Sequence, residues 1–419
     1  MTIRPMFDMM EATRLTREGR LTEAMAVLQG ARPHADATTT APDNDRHAGA
    51  HQANGGASLD MVPPSKQTGS SWTLPHFNES FASAQPTDMG PSLTQMAGAG
   101  LKRSRQRGFP NGLEQLFSRG VTPAPLPLPE GAKFDEHTFS NEAGGLNYKL
   151  YVPSSYVGKS LPLLVMLHGC TQSPDDFAAG TQMNNFAEEH TFLVAYPAQA
   201  RSANISKCWN WFKEGEQRRD LGEPSLIAGI TRQIMHDFPI EIGRVYVAGL
   251  SAGGAAAAIL GITYPDLYAG IGVHSGLACG AARDMPSAFA AMRQGGTAPT
   301  VMRRGSESVV PTIVFHGDND RTVNSVNSDQ VISQSRAATN LGTTVSHGTA
   351  PSGMRYTRTI QKDETGRTLL EQWMLHGAGH AWSGGSTAGS YTDPRGPDAS
   401  REMVRFFLQQ PTTAAGSSG

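Results

Sequence analysis

The chain is 419 residues long, room for two or three domains at about 150 residues each. Its 35 basic and 37 acidic side chains leave a net charge of −2, which provides neither a basic face for nucleic-acid phosphates nor an acidic solvating tail. Hydrophobic residues make up 38% without glycine, and 46 glycines restore the balance of a globular protein; no apolar run is long enough for a membrane-spanning helix.

The first residues carry charges where a signal peptide needs an apolar stretch, so the expectation is a soluble, cytoplasmic protein. Residues 1–30 repeat apolar positions at helical spacing (Met10, Leu15, Leu21, Met25, Leu28) around a break at Gly19, and read as an amphipathic helical segment. Residues 31–125 are rich in Ala, Gly, Ser, Thr, Pro, Asp and Asn with no period, which predicts a disordered linker. A short helical turn is expected at Leu113–Phe117 and an extended lead-in from Pro123 to Pro129.

From residue 126 to 410 the pattern becomes alternating strands and helices. Asn147–Val152 alternates like an edge strand, and Pro162–Leu167 is a short continuous apolar run, as a buried strand requires. Phe192–Tyr196, Val245–Ala248, Ile271–Val273, Thr312–Phe315 and Leu369–Met374 continue the series, and an amphipathic helix over Pro397–Gln409 closes it. Such alternation predicts an α/β domain with a mostly parallel, doubly wound sheet flanked by helices. Residues 411–419 read as a flexible tail.

The chemistry concentrates in four segments. Gly249-Leu250-Ser251-Ala252-Gly253 is a G-x-S-x-G between a buried strand and an Ala-rich helix, the setting in which a serine is held in a tight turn and exposed as a nucleophile. A serine hydroxyl needs a base. His380 lies in a Gly-rich loop after the last strand, where a Ser–acid–His order puts it. His376 and His380 have the spacing of a metal pair on a helix, but the glycines between them argue against a helix, and no metal site is expected. The acid is expected after Thr312–Phe315. Asp320 is the choice, with Asp318 bonding its own turn's backbone. Oxyanion donors are expected from the Ala252 N–H and from the loop after Pro162–Leu167, with Cys170 first and Thr171 second. His168 and His316 read as structural loop residues. Cys170, Cys208 and Cys279 read as small buried hydrophobes, a Cys170–Cys208 bridge being open if the protein meets an oxidising compartment.

With these segments in place, the sequence resembles the polyhydroxybutyrate depolymerase-type esterases, an α/β-hydrolase branch that includes feruloyl and acetylxylan esterase relatives. The stretches are LHGCTQSPDDFA (167–178), CWNWF (208–212), GLSAGGAAA (249–257), YPDLYAGIGVHSG (264–276), HGDNDRTV (316–323) and GHAWSGG (379–385). The resemblance implies ester hydrolysis through an acyl-enzyme without metal or organic cofactor, with Ser251 as nucleophile, Asp320 as acid, His380 as base, and Cys170 and Ala252 at the oxyanion hole. It makes Trp209, Trp382 and Thr171 the expected substrate-binding residues, the indoles as an apolar platform. The expected partner is a hydroxyalkanoate polymer or its oligomers, with a granule surface for the N-terminal segment. Feruloyl, acetylxylan or amide substrates are the alternatives, and a non-catalytic scaffold the competing class.

Overall fold

The computed structural model describes residues 128–296, 310–336 and 341–410. The expected N-terminal helical segment, the linker, the Leu113–Phe117 turn and the C-terminal tail lie outside the described residues.

Ten strands form one sheet. In chain order they are β1 (Lys133–Asn141), β2 (Gly144–Val152), β3 (Leu161–Leu167), β4 (Leu193–Ala198), β5 (Ile240–Leu250), β6 (Gly270–His274), β7 (Thr312–Gly317), β8 (Gly342–Thr349), β9 (Arg355–Lys362) and β10 (Thr368–Leu375). Their spatial order is β1-β2-β4-β3-β5-β6-β7-β10-β9-β8. The six central strands from β4 to β10 are parallel, and antiparallel pairs close both edges. Two short strands, β11 (Trp382–Ser383) and β12 (Thr392–Asp393), pair separately.

β3 shows why the centre was readable. All seven residues are buried, because helices cover both faces of a parallel sheet. Alternate side chains feed two cores: Leu163, Val165 and Leu167 one, Leu164 and Met166 the other. Pro162 cannot donate to a ladder, and the pairing with β5 shifts register there, between Leu161 and Leu163. Helices α3 (Gly222–Asp237) and α4 (Ala252–Thr263) fill the first core; α1 (Pro174–Thr181), α2 (Met183–His190) and α7 (Ala399–Leu408) fill the second. The remaining helices are α5 (Met285–Gln294) and α6 (Val326–Ser335).

Local signals set several ends. Ser173 caps α1 by accepting the Asp176 N–H at 3.2 Å, with Pro174 in the first turn. α7 begins later than its apolar pattern suggests because Asp398 is its cap, accepting the Arg401 N–H at 2.9 Å.

Candidate active site

The carboxyl ends of the parallel strands carry every segment singled out by its chemistry. β5 ends at Leu250 and α4 begins at Ala252, so Ser251 alone makes the turn, with φ 57° and ψ −118°. A non-glycine residue pays for that conformation. The glycines around it are steric requirements. A Cβ on Gly249 would run into the Gly253 backbone, and one on Gly253 would meet the His168 carbonyl at 2.6 Å. The Ser251 N–H donates to the His274 carbonyl on β6 at 2.8 Å, which fixes the elbow against the next strand.

Two strands away, β7 ends in a turn that supplies the carboxylates. Asp320 accepts the Thr322 and Val323 N–H groups on Oδ1, each at 2.9 Å, and His380 Nδ1 on Oδ2 at 2.6 Å. Burial pushes this carboxyl up, but the neighbouring His316 imidazole, 3.5 Å away, and the hydrogen bonds from His380 and Val323 outweigh it and hold the group well below the usual carboxylate range. An ionised acceptor at Nδ1 puts the imidazole proton there and leaves Nε2 with a free lone pair. β7 and β10 pair Gly317 with Leu375, bringing the two loops together. A side chain on Gly317 would strike Ala378, leading into the His380 loop. The structure joins His380 to Asp320 directly. Ser251 and His380 are not hydrogen-bonded to each other among the described residues.

Asp318 departs from expectation. Its carboxylate does not bond its own turn; it accepts the Gly377 N–H at 2.7 Å and His376 Nδ1 at 2.8 Å. The Asp318 N–H donates to the Leu375 carbonyl, which sets this residue against the β10 loop. Each aspartate therefore has its own histidine, and it is Asp320 that also ties down the turn.

The loop after β3 holds the expected oxyanion donors. The Thr171 N–H is taken by the Ser206 carbonyl at 2.6 Å, whereas the Cys170 N–H has no acceptor among the described residues. Of the two N–H groups, only that of Cys170 is left without an acceptor among the described residues. Thr171 remains exposed, its hydroxyl 3.1 Å from that of Tyr391. Cys170 and Cys208 form a disulfide across 38 residues, so these two are not the simple buried thiols of the first reading; Cys279 is, its thiol pushed up to about 12 by burial. His168 is a loop support: Nδ1 bonds the Gly169 carbonyl at 2.7 Å, Nε2 accepts the Gln199 N–H at 3.1 Å, and burial lowers it to about 4. His316 bonds the Val323 carbonyl at 2.8 Å through Nε2.

The tryptophans do not make a platform. Trp209 and Trp382 are fully buried, their indole N–H groups spent on the His168 carbonyl and the Ser400 hydroxyl, each at 3.0 Å. A side chain with no accessible face offers a substrate nothing; these two brace the loops from below. Sequence reasoning missed two residues instead. Tyr391, 39% exposed, is the aromatic ring beside Thr171, and nothing in its turn sequence marked it. His274 at the end of β6 accepts the Ser383 N–H at 3.0 Å and stacks on Trp382. Its own burial, with His316 and His380 near, lowers it to about 3. It lies in the YPDLYAGIGVHSG stretch, which was the available signal. Among the described residues no group of three His, Cys, Asp or Glu side chains is placed to hold a metal ion.

A strained serine elbow and a buried Asp–His pair at the carboxyl ends of the central strands invite comparison with known hydrolases. Residues 146–350 match the family model of Esterase PHB depolymerase. Poly(3-hydroxyalkanoate) depolymerase C of Paucimonas lemoignei is 32% identical over 251 residues, 58% of this chain and 60% of the relative. Feruloyl esterase B of Neurospora crassa is 29% identical over 129 residues, 30% of this chain and 43% of the relative. The chain thus spans less than two thirds of the length of either. Among solved structures, an acetyl xylan esterase from Aspergillus awamori superposes with a TM-score of 0.51 at 18% identity, covering 66% of this chain and 99% of that one. The fold is that of the α/β-hydrolase esterases, as the resemblance implied.

Proposed function

We propose that the chain is a serine esterase that cleaves polyhydroxyalkanoate chains or their oligomers through an acyl-enzyme. The observation that carries this reading is the 2.6 Å His380–Asp320 hydrogen bond at the carboxyl ends of the parallel strands, where Ser251 makes its strained turn. In the mechanism, His380 Nε2 takes the Ser251 proton as Oγ attacks the ester carbonyl, and Asp320 stabilises the imidazolium. The Cys170 and Ala252 N–H groups receive the oxyanion. His380 returns the proton to the leaving alkoxide; water then repeats the sequence on the acyl-serine and frees the acid. The family match and the 32% identical depolymerase favour a hydroxyalkanoate substrate. Thr171 and Tyr391, exposed beside the oxyanion loop, are the residues we assign to substrate contact.

The test compares a hydroxybutyrate oligomer, methyl ferulate and a short-chain nitrophenyl ester with wild type and Ser251→Ala. The expected result is preference for the oligomer and loss of all turnover in Ser251→Ala. Preference for the ferulate would move the chain to the carbohydrate-esterase branch, and turnover surviving in Ser251→Ala would overturn the serine mechanism. For residues 1–30 we propose attachment to a polymer surface. Deleting residues 1–125 should abolish adsorption to polymer particles while small-ester hydrolysis persists; unchanged adsorption would refute it. The Cys170–Cys208 bridge favours work in an oxidising compartment over the cytoplasmic expectation, because cytosolic thiols are kept reduced. Freshly isolated protein should then show one free thiol rather than three.

A further inference from the structure

Behind the oxyanion loop lies a buried polar network that the esterase mechanism does not itself require. Glu223, in the first turn of α3, is buried, and its carboxylate accepts three hydrogen bonds. Gln199 Nε2 and Asn210 Nδ2 reach Oε1 at 2.5 and 2.6 Å, and the Asn210 N–H reaches Oε2 at 2.7 Å. All three donors belong to the 199–210 loop, and that loop holds the 168–171 segment at four points. The Gln199 N–H donates to His168 Nε2 at 3.1 Å, Trp209 Nε1 to the His168 carbonyl at 3.0 Å, and the Ser206 carbonyl accepts the Thr171 N–H at 2.6 Å. The Cys170–Cys208 disulfide is the fourth. Gln199 Nε2 also bonds the Cys208 carbonyl at 3.1 Å, so the carboxylate grips the loop on both sides of the bridge. The helix end reinforces the hub: Glu216 accepts the Glu223 N–H at 2.5 Å.

We infer that Glu223 is a positioning residue for the Cys170 N–H, fixing this oxyanion donor through the 199–210 loop. The inference rests on the serine-esterase reading above. Glu223 is too deep to touch substrate, but a buried carboxyl on which three donors converge defines one loop geometry, and replacing it by an amide sets N–H donors against each other. The Cys170 N–H then drifts from the point where the oxyanion forms. Misplacement on the order of 1 Å is enough to cost about a hundredfold in rate. The substrate carbonyl in the ground state depends far less on that donor, so the loss belongs in kcat.

The experiment measures Glu223→Gln and Asn210→Ala on a short-chain nitrophenyl ester, below the midpoint of thermal unfolding of each variant. Affinity for a boronic acid, which forms a tetrahedral adduct with serine, is read alongside. Tyr268→Phe is the structural control, because it removes a buried 2.9 Å hydrogen bond to Thr231 on the same helix, α3, away from the loop. For Glu223→Gln, kcat should fall about 10- to 100-fold with KM within about threefold, and boronate affinity should weaken in parallel. Asn210→Ala should fall in the same direction by less, and it decides the matter alone if Glu223→Gln does not fold. Tyr268→Phe should lower the melting temperature and leave kcat in place. The inference is overturned if Glu223→Gln, or Asn210→Ala in its stead, keeps wild-type kcat, or if boronate affinity is unchanged while kcat falls. Turnover surviving in Ser251→Ala would instead strike the esterase reading, so the two failures are told apart.

Discussion

Asp318 and Asp320 show how far a two-residue step in a turn changes a carboxylate's task. Both face a histidine at hydrogen-bonding distance, 2.8 Å for Asp318–His376 and 2.6 Å for Asp320–His380. In Asp320→Asn, the amide oxygen is drawn to the side where Thr322 and Val323 donate. The amide nitrogen then faces His380 Nδ1, the imidazole must accept there, and its proton moves to Nε2, toward the nucleophile. A base in that tautomer cannot take a proton, and kcat should fall on the order of 10³- to 10⁴-fold. Asp318→Asn breaks a half-exposed pair that closes no circuit to Ser251, and should cost less than about tenfold. Comparable losses in the two variants would contradict the division of roles. The pairing of Asp320 with His380 was legible in the sequence because strand, turn and order all pointed to it. The partner of Asp318 was not legible, since it depends on which way each carboxylate leaves the turn. Trp209 and Trp382 were misread for a related reason. A tryptophan beside a motif looks the same whether its indole N–H faces solvent or, as here, a backbone carbonyl and a buried serine.

The strands divide by how they earn their stability. β3, β4, β6 and β7 are buried throughout or nearly so and announce themselves as apolar runs. β1, β8 and β9 left no such trace: β1 and β8 are exposed along most of their length and β9 is half-buried. A strand without one buried face has no period of two to read, and it is held by its neighbours' ladders. The disulfide joins two loops whose pairing the sequence left open, because a bridge depends on Cα geometry, here 4.2 Å. In the chain-entropy account, closing a loop of 38 residues is worth about 4 kcal/mol. Reducing the bridge should therefore lower the urea midpoint markedly, and activity should fall in the same preparation before unfolding, because Cys170 carries the proposed donor. A reduced enzyme with the original midpoint would show that the bonds from Gln199, Trp209 and Ser206 hold the loop unaided.

Over the whole molecule, three buried groups set an unusual response to acid. His168 is lowered from 6.5 to about 4 and His274 from 6.5 to about 3, both chiefly by burial. Glu223 is raised from 4.5 to about 7, burial outweighing its three donors. A histidine with a depressed folded value binds fewer protons folded than unfolded, so its contribution to stability is whole above about pH 6.5 and is lost as pH falls toward 4 and 3. Glu223 works in reverse: its folded form keeps a proton that the unfolded chain has released, so it loses stability as pH rises from about 4.5 to 7. Asp320, held low, changes nothing until below about 3.8. Between pH 6.5 and 4.5 the two histidines release stability and Glu223 restores part of it, so that these three groups together leave a slope of about one proton. Stability should peak near neutrality and decline by about 2 kcal/mol from pH 6.5 to 5. Removing the Glu223 charge removes the opposing contribution, so urea unfolding of Glu223→Gln over the same range should show a slope of about two protons. Equal slopes in the two proteins would mean that Glu223 is already ionised throughout, its donors having won over burial.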